Sequence, residues 1–413
     1  MRFSHTADCH IGGHRDTRLR DLTERAFMQF IDGSIKHRVD FAIIAGDLFN
    51  TAIPGIDTLK FTVTQLGRLR SQGIPVYAIP GSHDYSPSGK TMLDVLEEAG
   101  LLMNVCKGNV TTEGKLKLAF TIDKKTGVKL TGVIGRRGML DRAIYEELDR
   151  SIERETGKKV FLFHTSISEL KPQHLAEMES APVSFLPKGF DYYAGGHVHI
   201  VERYDEAARG YRNVVYPGPL FPNSFSELER LGSGGYYVYD DARQEGERLI
   251  REELPQKRVV KIELDAQGMS AHDASAKLAS QAAVAEPQDS IVLVRATGML
   301  SSGNPGDLDL RSAVRHLEDR GAYIVLRSTS QLTSSEFKAT QIDPNAPHQD
   351  LQERLLAEHG AELALDGMDG TALARELLKL LSREAIEGEK LHEYESRMTL
   401  ETLKLIDDLR KRG

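Results

Sequence analysis

The sequence predicts an α/β protein in three parts, and three observations carry that expectation. Up to about residue 245, short apolar runs that read as buried strands alternate with stretches of helical spacing, and polar residues gather where the strands end. After a charge-rich segment, Asp240 to Gln256, in which Pro255 marks a boundary, the order strand, helix, strand, helix, strand returns between residues 258 and 328. Residues 348–413 are rich in Leu, Glu and Lys and carry no strand signal, so they are expected to be helical.

The first strand, Phe3 to Ala7, starts almost at the N-terminus and runs into Asp8-Cys9-His10. A period of two aims Asp8 and His10 to one side and Cys9 to the other. Val39 to Ala45, Ile74 to Ile79, Val160 to Phe163 and Tyr192 to Ala194 read as further buried strands, and Leu19 to His37, Asp57 to Gln72 and Lys90 to Ala99 as helices between them. Leu116 to Ile122 and Val128 to Ile134, joined through Lys124-Lys125-Thr126-Gly127, read as a hairpin, so the sheet is not purely parallel. In the second part, strands are expected at Val259 to Leu264, Ser290 to Ala296 and Tyr323 to Leu326, and helices at His272 to Ala283 and Leu308 to Asp319. A looser stretch containing Asp343-Pro344-Asn345-Ala346-Pro347 leads into the third part. There Leu373, Leu377, Leu380 and Leu381, with Leu403, Ile406 and Leu409, form stripes that suit either the core of a local bundle or a docking face for a partner coiled coil.

At 413 residues and 40% apolar, the chain has room for two or three domains and a large core. It contains no run of eighteen apolar residues, and its start lacks a basic segment followed by an apolar one, so neither a membrane span nor a signal peptide is indicated and a cytoplasmic location is expected. Cys9 and Cys106 are too few for a disulfide framework. A net charge of −8 means that any phosphate binding must come from metals or local basic clusters.

The chemistry sits in five elements: Asp8-x-His10, Gly46-Asp47, Gly81-Ser82-His83-Asp84, His164, and Gly195-Gly196-His197-Val198-His199. Nearly all follow an apolar run directly. Aspartate oxygen and histidine nitrogen are ligands that two divalent metals can share, with one carboxylate bridging, and Asp47 is the best candidate for the bridge because Gly46 leaves room beside the backbone. Taken alone, Asp47 also suits a helix cap, and His83 suits a ligand, a general acid or a turn residue; His164 is open in the same way. The spacing of His197 and His199 aims both imidazoles one way.

These motifs resemble the signature of the calcineurin-like metallophosphoesterases, over residues 1 to about 220. Within that superfamily, Gly46-Asp47-Leu48-Phe49, the second small domain and the helical tail resemble the SbcD-type nucleases of DNA double-strand-break repair, the meiotic recombination eleven family. The resemblance implies a sandwich of two sheets flanked by helices over residues 1–245, a small α/β capping domain that binds DNA over 256–330, and a helical region over 348–413 that grips an ABC-type ATPase of the SbcC or Rad-fifty kind. It implies two manganese ions per chain, with magnesium as a substitute. Asp8, His10, Asp47 and His199 would hold one, and Asp47, His164 and His197 the other. His83 would protonate the leaving oxygen or stabilise the transition state, and Asp84 would orient His83. The activity implied is manganese-dependent endo- and exonuclease cleavage of DNA, including 3′–5′ exonuclease action on duplex ends, in a nucleoid-associated homodimer. The dimer would form through Asp57 to Gln72 and Lys90 to Ala99, where Phe61, Leu66, Leu69, Met92, Leu93 and Leu96 serve either that interface or the chain's own core.

Two positions depart from the family pattern. The asparagine whose amide oxygen binds the second metal is replaced by Ser82, a shorter and poorer ligand, so the second ion is expected to bind more weakly. The histidine that follows Gly-Asp-Leu-Phe in many members is Asn50, which can hydrogen-bond a phosphate and cannot carry a proton at neutral pH. His14 and Arg15, just beyond the first motif, are candidate substrate contacts, as are the basic pairs Lys124-Lys125 and Arg136-Arg137. Two other functions remain open to this sequence: a phosphoesterase for a nucleotide or other small phosphodiester, and a catalytically weakened DNA-binding scaffold.

Overall fold

A computed structural model of the chain describes residues 1–85, 90–135, 142–335, 356, 370–383 and 391–410. The chain runs through β1 (Arg2–Thr6), α1 (Thr17–Lys36), β2 (Phe41–Ala45), α2 (Ile56–Ser71), β3 (Val76–Ile79), α3 (Met92–Glu98) and β4 (Met103–Asn104). A ribbon of β5 (Lys107–Val110) and β6 (Leu116–Ala119) precedes β7 (Thr121–Ile122), β8 (Lys129–Gly132), α4 (Arg142–Glu146), β9 (Lys159–His164) and β10 (Tyr192–Gly196). Then follow β11 (Val201–Glu206), β12 (Tyr211–Pro217), α5 (Phe225–Leu231), β13 (Gly234–Asp240) and β14 (Leu249–Leu254).

These strands make two six-stranded sheets, ordered β14-β13-β1-β2-β3-β4 and β11-β12-β10-β9-β8-β7. Strands β1 to β4 are parallel, as are β8, β9, β10 and β12; antiparallel strands close one edge of the first sheet, through β13 and β14, and both edges of the second, through β11 and β7. Alternation along each strand explains why the sheets pack. Phe41, Ile43 and Ala45 meet Val160 and Leu162 between the sheets. Ala42 and Ile44 face the helices on one outer side, and Phe161 and Phe163 face the opposite outer side. Strands buried on both faces read as unbroken apolar runs, which is how they stood out in the sequence. Helix α1 begins at Asp16, whose carboxylate accepts the Arg18 N–H, and buries Leu19, Leu22, Ala26, Phe27, Phe30 and Ile31 at helical spacing. Each such side chain contributes about 1.5–3 kcal/mol by leaving water.

A third sheet, β15 (Arg258–Asp265), β16 (Ser290–Leu300) and β17 (Ile324–Ser334), carries α6 (Ala271–Val284) and α7 (Leu310–Asp319) over a core that includes Leu278, Val292, Val294 and Leu317. Its other face adds Ile291, Leu293 and Ile324 to the core beneath α1. Polar clamps fasten the same boundary: Arg18 Nη1 donates to the Tyr323 carbonyl at 3.1 Å, and Tyr323 donates its hydroxyl to the Arg18 carbonyl at 3.1 Å. Residues Met1–Thr333 accordingly form one compact unit.

The second unit, Ser334–Gly413, holds the helices Gly370–Leu381 and Leu391–Arg410. Arg383 reaches Glu401 at 3.0 Å, and Leu373, Leu380 and Met398 are buried while Leu378, Leu381, Leu400 and Leu403 are exposed. Residues 336–355, 357–369, 384–390 and 411–413, with the Asp343 to Pro347 linker among them, lie outside the described residues, as do Arg136 and Arg137.

The elements depart from expectation in two places. Asp240 to Gln256 is not only a linker, because β14 pairs with β13 and extends the first sheet to Leu254. An edge strand tolerates charge on its open side, and that charge masked the strand signal. The hairpin is shorter than expected: Thr121 pairs with Leu130 and Ile122 with Lys129, while Leu116 to Ala119 turns away to pair with β5. Of the two uses left open for the apolar residues of α2 and α3, Leu66, Leu69, Leu93 and Leu96 lie in the chain's own core and Phe61 and Met92 pack against it. Among the described residues no helix is long and apolar enough to cross a membrane.

Candidate metal centre

All five motifs come to the carboxyl ends of the parallel strands of both sheets, the place where open α/β sheets leave a crevice. The pleat of β1 is not what aims Asp8 and His10. The strand ends at Thr6, and both residues are left-handed, with φ of 51° and 44°. Asp47, His197 and His199 share that conformation at φ of 51°, 100° and 47°. A residue with a Cβ is strained there by roughly 1–2 kcal/mol, a cost met by burial and by neighbouring backbone bonds. Asp8 N–H donates to the Gly46 carbonyl at 3.1 Å, His10 N–H to Asp47 at 3.0 Å and Ile11 N–H to Leu48 at 3.0 Å, which stitch the first two loops together.

Asp8 and Asp47 are both buried at the centre of the cluster. Asp47 Oδ2 lies 3.2 Å from His164 Nε2 and 3.8 Å from His10 Nε2, and its Oδ1 accepts the His83 N–H at 2.7 Å. Asp8 accepts the His197 N–H on both oxygens, at 3.0 and 3.1 Å, and its Oδ1 is 3.6 Å from His199 Nε2. His10 Nε2 and His199 Nε2 face each other at 3.0 Å, and the rings of His164 and His197 stand edge-on at 5.1 Å. Three overlapping sets, Asp8 with His10 and His199, Asp8 with Asp47 and His164, and His10 with Asp47 and His83, can each offer ligand atoms within 4.8 Å of one another.

These residues fit divalent cations. His164 Nδ1 lies 2.9 Å from the Ala45 carbonyl, to which it can only donate, so the other nitrogen is turned on the Asp47 carboxylate. Among the described residues, that Nε2 has no partner beyond its 3.2 Å approach to Asp47, and His10 Nδ1, also buried, has none. Burial disfavours charge on every imidazole here, yet the Asp47 carboxylate outweighs it and takes His164 up to about 10. Asp8 likewise overrides burial at His199, up to about 9. Burial and neighbouring imidazoles push His10 and His197 down to about 3, leaving neutral nitrogens suited to ligation. Two buried carboxylates amid nitrogen donors make a hard-to-borderline set of the kind that manganese, magnesium or zinc accept.

The remaining sequence candidates divide. Ser82 is in place, its hydroxyl 3.5 Å from Asp47 Oδ2. Asp84 departs from expectation, since its carboxylate accepts the backbone N–H groups of Leu48, Phe49 and Gly81 at 3.2, 3.0 and 3.0 Å instead of orienting His83. The His83 ring is oriented by the Asn50 carbonyl, 2.7 Å from its Nδ1. Asn50 orients His83 through its backbone, and its side-chain oxygen lies beside Gly13. His14 stands edge-on to Phe221, Arg15 is exposed, and Lys125 is spent on an ion pair with Asp40 at 2.8 Å. Gly46 makes room for the His164 imidazole, because a Cβ there would lie 2.2 Å from His164 Nδ1.

Sequence reasoning missed Glu227. Its Oε1 lies 3.0 Å from His199 Nδ1, and although burial alone would raise its carboxyl, the His199 imidazole brings it down to about 2. The Ser224-Phe225-Ser226-Glu227 pattern has the spacing of a helix start and was the available signal.

Comparison with known proteins agrees with this geometry. Residues 1–201 match the calcineurin-like phosphoesterase family. The DNA double-strand break repair protein Mre11 of Methanococcus maripaludis is 32% identical over 207 residues, 48% of this chain and 52% of the relative. Its namesake in Archaeoglobus fulgidus is 27% identical over 240 residues, 56% of this chain and 52% of the relative, and that in Aeropyrum pernix 29% over 273 residues, 63% of each. The chain thus spans about half the length of the first two of these relatives and somewhat more of the third. With the motif residues gathered at the carboxyl ends of two packed sheets, this chain carries a calcineurin-like metallophosphoesterase domain.

Proposed function

We propose that the chain is a manganese-dependent DNA endo- and exonuclease that processes ends at double-strand breaks together with an ABC-type ATPase. The observation that carries this reading is the pair of buried carboxylates, Asp8 and Asp47, ringed by His10, His164, His197 and His199 at one edge of both sheets. The names of the relatives support DNA at broken ends as the substrate.

In this reading Asp8, His10, Asp47 and His199 hold one ion, and Asp47, His164, His197 and Ser82 the other, with Ser82 making the second the weaker. Bound there, the cations supply charge neutralisation and Lewis-acid polarisation of a phosphodiester. His83 donates its Nδ1–H to the Asn50 carbonyl, so it is as the imidazolium that its Nε2 would deliver a proton to the departing sugar oxygen, leaving the neutral Nδ1–H ring. Asp84 ties the Asp47 loop to the His83 loop through three backbone N–H groups and so keeps proton donor and ligands in register. His14, Arg15 and the side chain of Asn50 are proposed as phosphate contacts.

The third sheet with α6 and α7 is proposed as the capping module for DNA, and residues 348–413 as the ATPase-binding region, where Leu378, Leu381, Leu400 and Leu403 stand exposed. A homodimer is proposed through the solvent side of α2 and α3, where Ile53, Ile56, Val63 and Val95 are exposed, and mass measurement in solution tests it. The activity is tested on linear duplex DNA with and without manganese, with His83→Ala as the control. Cleavage that needs manganese and is lost in His83→Ala is expected. Cleavage of small phosphodiesters alone would favour the small-substrate enzyme, and binding of DNA with no cleavage would favour the scaffold.

A further inference from the structure

Helix α5 clasps His199 from two sides. Glu227 Oε1 meets the imidazole Nδ1 at 3.0 Å, and Arg230 Nη2 donates to the His199 carbonyl at 2.9 Å. Seven residues are too short to hold a helix by themselves, so its position is set by what it touches. At one end Ser224 Oγ accepts the Glu227 N–H at 3.2 Å. On another face Glu229 forms a two-armed ion pair with Arg295 of β16, at 2.6 and 2.7 Å, and the Arg295 guanidinium lies 4.9 Å from the centre of the Phe225 ring.

The bland reading of Glu227 is a capping residue for α5. A capping glutamate would reach back to the N–H of Ser224, and this one does not. Its Oε2 accepts the Asn223 N–H at 2.9 Å, and its Oε1 lies 3.1 Å from the Ser224 hydroxyl and 3.0 Å from His199. With both oxygens fixed, the carboxylate is aimed at the imidazole.

We propose that Glu227 is a positioning residue for His199: it accepts the Nδ1–H, selects that tautomer, and so presents the Nε2 lone pair toward Asp8 Oδ1 and His10 Nε2, 3.6 and 3.0 Å away. The proposal rests on the two-cation reading of the site. A carboxylate behind a ligating histidine fixes ring and tautomer and raises the basicity of the ligand, and its loss weakens metal binding without removing a ligand. The strut that holds Glu227 also runs, through Glu229, to the third sheet, so this one ligand is braced by both parts of the compact unit.

The test is manganese titration of the full chain, read as free manganese by electron paramagnetic resonance, with far-ultraviolet circular dichroism before metal is added. Glu227→Ala is expected to weaken the ion that His199 holds by about 10–100-fold while leaving the other ion unaltered, and Glu227→Gln, which keeps an acceptor oxygen, by about 3–10-fold. In a His199→Ala background the Glu227→Ala change is expected to have no further effect, because the two residues act as one. Wild-type affinity for both ions in either folded variant overturns the proposal, and so does a further loss in the double variant. If Glu227→Ala does not fold, Glu227→Gln decides alone by the same criterion. A wild-type chain that binds no manganese removes the two-cation reading and this proposal together, whereas two ions bound unchanged in the variants remove only the proposal.

Discussion

Replacing Asp84 with alanine separates holding the site from performing its chemistry. The Asp84 side chain is buried and accepts three backbone N–H groups, from Leu48, Phe49 and Gly81. Each donor orphaned in the interior costs about 1–3 kcal/mol, so three give roughly 3–9 kcal/mol if nothing replaces the carboxylate. Two effects reduce that sum. The space left by truncation is about that of one water, which can serve part of the set. Burial, and then the charge on Asp47, lift the Asp84 carboxyl to about 7, and the substitution removes that penalty. The balance is a loss of about 2–4 kcal/mol, which lowers the melting temperature by roughly 3–6 °C for a unit of this size. Scanning calorimetry or thermal circular dichroism reads it. His83→Ala serves as the reference: it should cost the reaction without a comparable loss of stability, since its ring makes one hydrogen bond, to the Asn50 carbonyl, and stands edge-on to His10. An Asp84→Ala protein that melts within about 1 °C of the wild type, on the scale set by the same principle, would refute the argument that Asp84 holds two loops together.

Gly46→Ala places a methyl group 2.2 Å from His164 Nδ1 at φ +91°, so it is expected to displace the imidazole from the Ala45 carbonyl and abolish binding of the ion held by His164, as manganese titration will read. Deleting residues 348–413 is expected to leave manganese-dependent cleavage intact and abolish capture of the ATPase in a pull-down; capture at full strength by the shortened chain would refute the docking role.

Much of the α/β core was legible because a strand buried on both faces must be apolar throughout and must stop where a polar residue is needed. Val39 to Ala45 ends at Gly46-Asp47 for that reason, and its structured core is Phe41–Ala45. The edge strand Leu249–Leu254 was harder to read, since Arg251 and Glu253 on one face and Glu252 on the other break the apolar pattern. Helix α5 is shorter than the window in which helical periodicity shows.

The sequence by itself determined which side chains the centre would contain, because aspartate and histidine stationed after apolar runs are fixed to strand ends by local pattern alone. Only the tertiary structure decided how they meet. Asp8, His10, Asp47, His197 and His199 turn toward one another through left-handed backbone that an isolated strand end would relax, held by bonds between loops from different strands. Asp84 exchanged the neighbouring side chain it was expected to orient for three backbone donors, two of them brought to it by another loop. His199 found its partner in Glu227, on a helix set in place by Arg295 in a different sheet, and a contact built from two long-range placements leaves no periodicity in the chain to read.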